Sequence, residues 1–406
     1  MTMQTFPGAK TALSLGAALC LAAAPAYAQY TQDTVKIGFA TDMSGLFSDI
    51  DGAGGVEAVR MAIADFGGQV GGKKIELMFV DHQNKPDIAS TKAREWVDVN
   101  KVDLLLGGVN SAVGLAMSKV SAEKKTVYIS VGAGTARLTN EECTPYTINY
   151  ALDTIAQARV AGRAVTEAGG KSWYFLVADY AFGHSLEKDT TEVIKTAGGE
   201  VKGSVRHPVS ASDFSSFLMQ AQASQSQVLG LANAGSDLHN SVKAAAEFGV
   251  NRKMRMTAMM QFLSDTHTMG LQATQGMYLS EAWYWDLNDD TRKWSRRFFE
   301  KTKRMPTVLQ AGAYSATMTY LNAVKTVGTD NADKVMAQLK SAKINDFFAK
   351  DGYIRPDGRM VHDYYLMQVK KPSESKYPWD YYNLVATVKG EDAFNTKAES
   401  KCALWK

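Results

Sequence analysis

The residues in this chain best suited to chemistry are small and polar, and they recur where apolar runs end. Val35 to Thr41 leads into Asp42-Met43-Ser44-Gly45, and Val102 to Leu106 leads into Gly107-Gly108-Val109-Asn110-Ser111. Thr126 to Val131 leads into Gly132-Ala133-Gly134-Thr135. In an open α/β sheet, ligands sit beyond the C-terminal ends of the strands, where helix N-termini present unpaired N–H groups to anions. Ser111 is placed to donate to a carboxylate, or to cap its own helix instead. Gly132 and Gly134 serve either close backbone approach or simple turns. Farther on, Ala178-Asp179-Tyr180-Ala181-Phe182-Gly183 and Asn233-Ala234-Gly235-Ser236-Asp237 repeat the arrangement with aromatic rings added. Tyr180 and Phe182 offer apolar surface for covering a hydrophobic ligand, or for packing between lobes. Asp179 and Asp237 also suit the first turn of a helix. Anion binding beneath an apolar lid is the chemistry on offer.

Covalent and metal chemistry find no matching pattern. HExxH, Cys-x-x-Cys, GxxxxGK[ST] and GxSxG are all absent from the sequence, and histidines 82, 184, 207, 239, 267 and 362 stand at no ligand-like spacing. Two glycine clusters imitate a dinucleotide loop. In Gly52-Ala53-Gly54 the third position is Glu57, and in Gly132-Ala133-Gly134 it is Arg137, so neither permits the close helix packing that pyrophosphate binding needs. No catalytic residue, metal or cofactor is expected.

The elements that position these loops follow from periodicity. Nearly continuous apolar strands are predicted at Val35–Thr41, Ile75–Val80, Val102–Leu106 and Thr126–Val131, as in a parallel sheet covered on both faces. Between them fall helices at Gly55–Phe66, from Pro86-Asp87 (Asp87 as the cap), and at Ala112–Lys124. After Tyr150 the pattern restarts, with strands Ser172–Ala178, Glu200–Arg206, Gln227–Ala232 and Met254–Met259 separated by helices. Two α/β lobes result. A strand within Gly276–Trp285, helices at Asp290–Arg304 and Thr307–Gly328, and an irregular tail with strands Tyr364–Val369 and Tyr381–Val388 complete the reading.

The chain of 406 residues has a formal net charge of +3, from 45 Lys and Arg against 42 Asp and Glu, which gives no electrostatic case for nucleic acid. Residues 1–28 differ in kind. An apolar run from Thr11 to Pro25 ends at Ala26-Tyr27-Ala28 before Gln29, the pattern of an export signal cleaved near Ala28, with an N-terminal anchor as the alternative. Cys20 leaves with that segment. Cys143 and Cys402 remain, as one disulfide in an oxidising compartment or as two free thiols.

Order and spacing together resemble a known family. VKIGFATDMSGLFSDIDGAGGVEAVRMAIADF, IELMFVDHQNKPDIASTKAREW, GGVNSAVGLAMSKV, WYFLVADYAFGHSLEKDT and SDFSSFLMQAQASQSQVLGLANAGSDLHNSVKAAAEFG are similar to solute-binding proteins of ABC importers for branched-chain amino acids and related compounds. The resemblance implies two Rossmann-like doubly wound lobes joined by a three-segment hinge, the type I periplasmic-binding fold. It places a signal peptide at 1–28, one lobe at 29–151 with 282–345, the other at 152–281 with 346–390, and a tail at 391–406. Ligand contacts implied by position are Ser44, Phe47, Asn110, Ser111, Gly132, Gly134, Thr135, Tyr180, Phe182, Asn233 and Gln261. Members that bind amino acids use an acidic residue for the ammonium where this chain reads Met260-Gln261-Phe262, so the equivalent here is neutral. The wording DYAFGH, NSAVGLA and DMSGL also resembles the branch binding hydroxybenzoates and phenylpropenoids, while Asp42 or Asp179 remains a possible source of the missing charge.

The expected function is therefore a monomeric periplasmic binding protein, not an enzyme. It would capture a small hydrophobic carboxylate, amino acid-like or aromatic, and deliver it to an ABC permease in the inner membrane. A ligand-sensing subunit on the same scaffold, signalling to a membrane receptor, is the alternative.

Overall fold

Strand β1 (Thr34–Thr41) takes the centre of a six-stranded sheet in the computed structural model, which describes residues 1–5, 8 and 30–406. The predicted export segment and its cleavage site lie outside the described residues. The other strands are β2 (Gln69–Val70), β3 (Lys73–Asp81), β4 (Leu104–Gly107), β5 (Val127–Ser130) and β6 (Thr147–Asn149), in the order β2-β3-β1-β4-β5-β6. Pairings among β3, β1, β4, β5 and β6 are all parallel.

Side-chain alternation in these strands feeds two separate cores, which is why they read as unbroken apolar runs. Ile37, Phe39, Leu104, Leu106, Val127 and Ile129 face one core; Ala40, Leu105 and Tyr128 face the other. The second core is closed by helices α2 (Pro86–Glu95) and α3 (Ser111–Lys124), whose Ala89, Ala93, Val113, Met117 and Val120 are buried there. Trp96, just past α2, lies flat on β1 at Gly38, where a Cβ would stand 2.5 Å from the indole. The opposite face is covered by α1 (Gly52–Phe66) and by the Val308–Val327 helix, which pack together. Helix α2 opens with Pro86 in its first turn, but the expected Asp87 cap is not formed; Lys85 holds the cap position with no side-chain bond.

The second sheet repeats the construction with β7 (Ser172–Ala178), β8 (Glu200–His207), β9 (Val228–Ala232) and β10 (Arg255–Ala258), parallel and in the order β10-β9-β7-β8. Two antiparallel sheets come from the last third of the chain. The strands β11 (Tyr278–Glu281), β15 (Tyr364–Val369) and β16 (Tyr382–Val388) form one. The strands β12 (Lys343–Ile344), β13 (Gly352–Ile354) and β14 (Met360–Val361) form the other. Residues 346–390 thus divide: Arg359 bridges Asn149 at the end of β6, while β15 and β16 join β11 beside β10. A helix at Ala332–Ser341, capped by Asn331 on the Lys334 N–H, was not anticipated. Cys143 and Cys402 are bonded, with Cα atoms 5.7 Å apart across 259 residues.

Among the described residues no helix is long and apolar enough to cross a membrane, and no group of three His, Cys, Asp or Glu could hold a metal ion.

Candidate functional site

The loops at the strand ends of the two parallel sheets meet. Phe47, Val109, Ser111, Gly132, Gly134 and Leu309 come from the side of the first sheet; Tyr180, Phe182, Ala234, Met260 and Phe262 come from the side of the second. They enclose a cavity of about 10 Å³, room for a single water at most. A Cβ on Gly134 would lie 3.1 Å from the Met260 methyl carbon and 3.2 Å from the Phe182 ring, so opposing walls are already in contact. Gly235 sits equally close to the other side, where a Cβ would be 2.5 Å from the Leu46 carbonyl oxygen. The two walls are closed on each other here, and a ring-sized ligand fits only where they stand farther apart.

Ser111 opens α3 but does not cap it. Asn110 is the cap, its Oδ1 accepting from the Ala112 and Val113 N–H groups at 2.6 and 3.2 Å, while its Nδ2 donates to Asn84. Asn110 thus serves the helix cap, and of the two roles open to Ser111 capping is not the one it takes. The Ser111 Oγ accepts from the Thr135 N–H at 3.1 Å, and the residue lines the cavity. Gly132 and Gly134 lie on the wall without side chains, and among the described residues their N–H groups have no hydrogen-bond acceptor. A Cβ on Gly132 would sit 2.7 Å from Val109 Cα, so close backbone approach, beyond mere turning, requires glycine there.

Tyr180 and Phe182 flank the start of the Ala181–Thr196 helix with ring centroids 5.9 Å apart. Burial, then the charge of Asp237, holds the Tyr180 phenol well above its ordinary range, so it enters the site as a neutral hydroxyl. Ser111 and Tyr180 are the two polar side chains on the wall.

Four other expected contacts are held elsewhere. Ser44 is exposed, its hydroxyl donating to Asp81 at 2.6 Å. Thr135 directs its Oγ1 to Ser185 at 2.7 Å and to the Arg137 N–H. Asn233 is fully buried, its Nδ2 within reach of His207 and Ser241. Gln261 is not on the cavity wall: its Nε2 donates to Thr266 at 2.7 Å, its buried Oε1 has no partner among the described residues, and Met260 and Phe262 line the wall. Nor does either alternative acid reach the wall: Asp42 accepts from the Gly45 and Phe47 N–H groups, and Asp179 pairs with His184 at 2.7 Å. Asp237 lies in the first turn of the Ser236–Glu247 helix and accepts from the Ser210 N–H.

Val109, Ala234, Met260, Phe262 and Leu309 were not anticipated on the wall. Leu309 comes from the first turn of a helix nearly 200 residues beyond α3, and no local pattern marks it. Every charged side chain is absent from the wall, so the arrangement can desolvate an apolar body and offer N–H and O–H donors to one anionic end.

The periplasmic binding protein model matches residues 34–376. The chain belongs to the periplasmic binding protein family. Among solved structures it is similar to a periplasmic binding protein from Burkholderia mallei, 61% identical, with a TM-score of 0.91 over 92% of this chain and 100% of that one. A branched chain amino acid ABC transporter periplasmic ligand-binding protein from Burkholderia xenovorans LB400 is 37% identical, with a TM-score of 0.83 over 92% and 100%. A solute binding protein of an ABC transporter from Rhodopseudomonas palustris BisB5, in complex with 3,4-dihydroxy benzoic acid, shares the fold at 22% identity and a TM-score of 0.79 over 88% and 98%. This periplasmic binding protein is thus of the branched-chain amino acid ABC transporter type, with two parallel α/β sheets meeting at their strand ends.

Proposed function

We propose that this periplasmic binding protein captures a small apolar carboxylate lacking an ammonium group, an aromatic acid of the hydroxybenzoate kind, and hands it to an ABC permease of the inner membrane. The observation that carries this reading is the cavity wall itself, which Met260 and Phe262 line and no charged side chain joins. An α-amino acid would leave its ammonium desolvated with no anionic partner on the wall, a cost of several kcal/mol. A carboxylate instead finds the Ser111 hydroxyl and the Gly132 and Gly134 N–H groups, while Phe47, Tyr180, Phe182 and Phe262 cover an apolar ring. The complex of the Rhodopseudomonas palustris BisB5 relative with 3,4-dihydroxy benzoic acid supports the ligand class.

The protein acts as a monomer in the periplasm after cleavage near Ala28. Its lobes comprise 29–151 with 282–345, and 152–281 with the later part of 346–390; the Asn149–Arg359 bridge supports assigning the 346–361 stretch to the first lobe. Binding stabilises a closed form whose walls are held apart by the ligand, the surface the permease reads.

A thermal-shift panel tests this reading. Ligand at 100 times Kd adds about 2.7 kcal/mol to stability. 4-Hydroxybenzoate, benzoate or coumarate should raise the melting temperature, and leucine and valine should not. A shift with leucine alone would refute the ligand class.

A further inference from the structure

The stretch 150–153 is where the chain first leaves one parallel sheet for the other: β6 ends at Asn149 and a helix opens at Thr154. Its carbonyls are held in succession by side chains 207 to 213 residues away. Arg359 donates from Nη2 to the Tyr150 oxygen at 2.5 Å and from Nη1 to the Leu152 oxygen at 2.6 Å. Between them, the Ala151 oxygen accepts from the Tyr364 hydroxyl at 3.1 Å, with His362 Nε2 also 3.1 Å away. The Tyr364 hydroxyl in turn accepts from the Asp153 N–H at 3.1 Å. Arg359 is fully buried; its Nε donates to the Met360 oxygen, its guanidinium lies 4.5 Å from the Phe394 ring centroid, and Asp153 Oδ2 is 3.7 Å away.

The donors sit on a second crossing. Strand β14, beside Arg359, belongs with the edge of the first sheet, whereas β15, which begins at Tyr364, pairs with β11 beside the second. Residues 359–364 therefore span the same gap as 150–153, and the contacts fasten one crossing to the other.

We propose that Arg359, with His362 and Tyr364, is a set of positioning residues that joins these two crossings into one hinge and favours the closed form. The inference rests on the clamp reading above. Hinge bending is absorbed by φ/ψ changes in a few such residues, which rotate their peptide planes. A rigid guanidinium fork holds two carbonyls only while they keep their relative orientation. Opening the clamp by bending 150–153 therefore breaks or strains contacts that the closed form satisfies. None of the three side chains lines the cavity, so their effect on ligand is through the population of the closed form.

The test compares wild type with Arg359→Lys, which keeps the charge and loses the fork, and Tyr364→Phe, which removes one hydroxyl. Small-angle scattering of the ligand-free proteins should give a larger radius of gyration for both variants. Calorimetry with 4-hydroxybenzoate should show about tenfold weaker binding for Arg359→Lys and a smaller loss for Tyr364→Phe. The ratio of benzoate to 4-hydroxybenzoate affinity should stay unchanged. A role confined to core packing would lower the melting temperature and leave the radius alone. A folded variant with the wild-type radius overturns the proposal, whatever its affinity. Should Arg359→Lys not fold, Tyr364→Phe decides the matter. If wild type binds none of the acids, the ligand class fails, and the scattering comparison still judges the hinge.

Discussion

Replacing Ser111 by Ala removes one oxygen with two separable jobs. Ser111 is buried at 2% exposure, its Oγ accepts from the Thr135 N–H at 3.1 Å, and the residue lines the cavity. A hydrogen bond to a charged group is worth about 1.5–3 kcal/mol, so losing the contact to a carboxylate should weaken binding by about ten- to 150-fold. The orphaned Thr135 N–H separately costs about 1–3 kcal/mol of stability, and a urea melt of the ligand-free protein reads that cost. To isolate the charge contact, calorimetry would compare 4-hydroxybenzoate with its uncharged amide on both proteins. The acid should lose more than the amide. Unchanged affinity for the acid, in a variant whose urea midpoint has fallen, would refute the carboxylate assignment while leaving the Thr135 contact intact.

Three further outcomes are expected. Gly134→Val places carbons against the Met260 methyl and the Phe182 ring, and overpacking of this kind costs about 1–3 kcal/mol; binding should weaken by about tenfold or more, and an unaffected Kd would deny that these walls meet. Breaking Cys143–Cys402, which closes a loop of 259 residues, should lower stability by about 3–5 kcal/mol; Cys402→Ser should then melt alike with and without reductant, unlike wild type. Asp51 is pushed up to about 7 by burial, a hydrogen bond from Thr41 opposing and the Asp42 charge adding. Its folded state then holds a proton that the unfolded state releases near pH 4, so stability falls as pH rises from about 4 to 7. Asp51→Asn should flatten urea-derived stability over that window by up to about 1.4 kcal/mol per pH unit, and an unchanged slope would contradict the assignment.

Much of the scaffold was legible because its signals are local. Strands β7 and β15 have the limits that composition and turn residues predicted, and the apolar runs around β1, β4 and β5 are unbroken because each feeds cores on both faces. The Ala332–Ser341 helix was missed although Asn331 heads it and Val335, Met336 and Leu339 are buried along one side. At the site, legibility failed at single-residue resolution. Whether Asn110 or Ser111 caps α3, and whether Gln261 or its two neighbours face the cavity, depends on how a loop is turned by distant packing. Thr135 and Asn233 have the right chemistry, but Ser185 and Ser241 engage them first. Leu309 reaches the wall only through tertiary approach of its helix, which no spacing encodes.

Titration calorimetry of the protein, freed of co-purified solute by unfolding and refolding, puts the question most directly, with 4-hydroxybenzoate in one experiment and leucine in another. The arrangement of Ser111, Met260 and Phe262 predicts saturable one-to-one binding of the acid and no heat from the amino acid. Tight binding of leucine with none of the aromatic acid would contradict it.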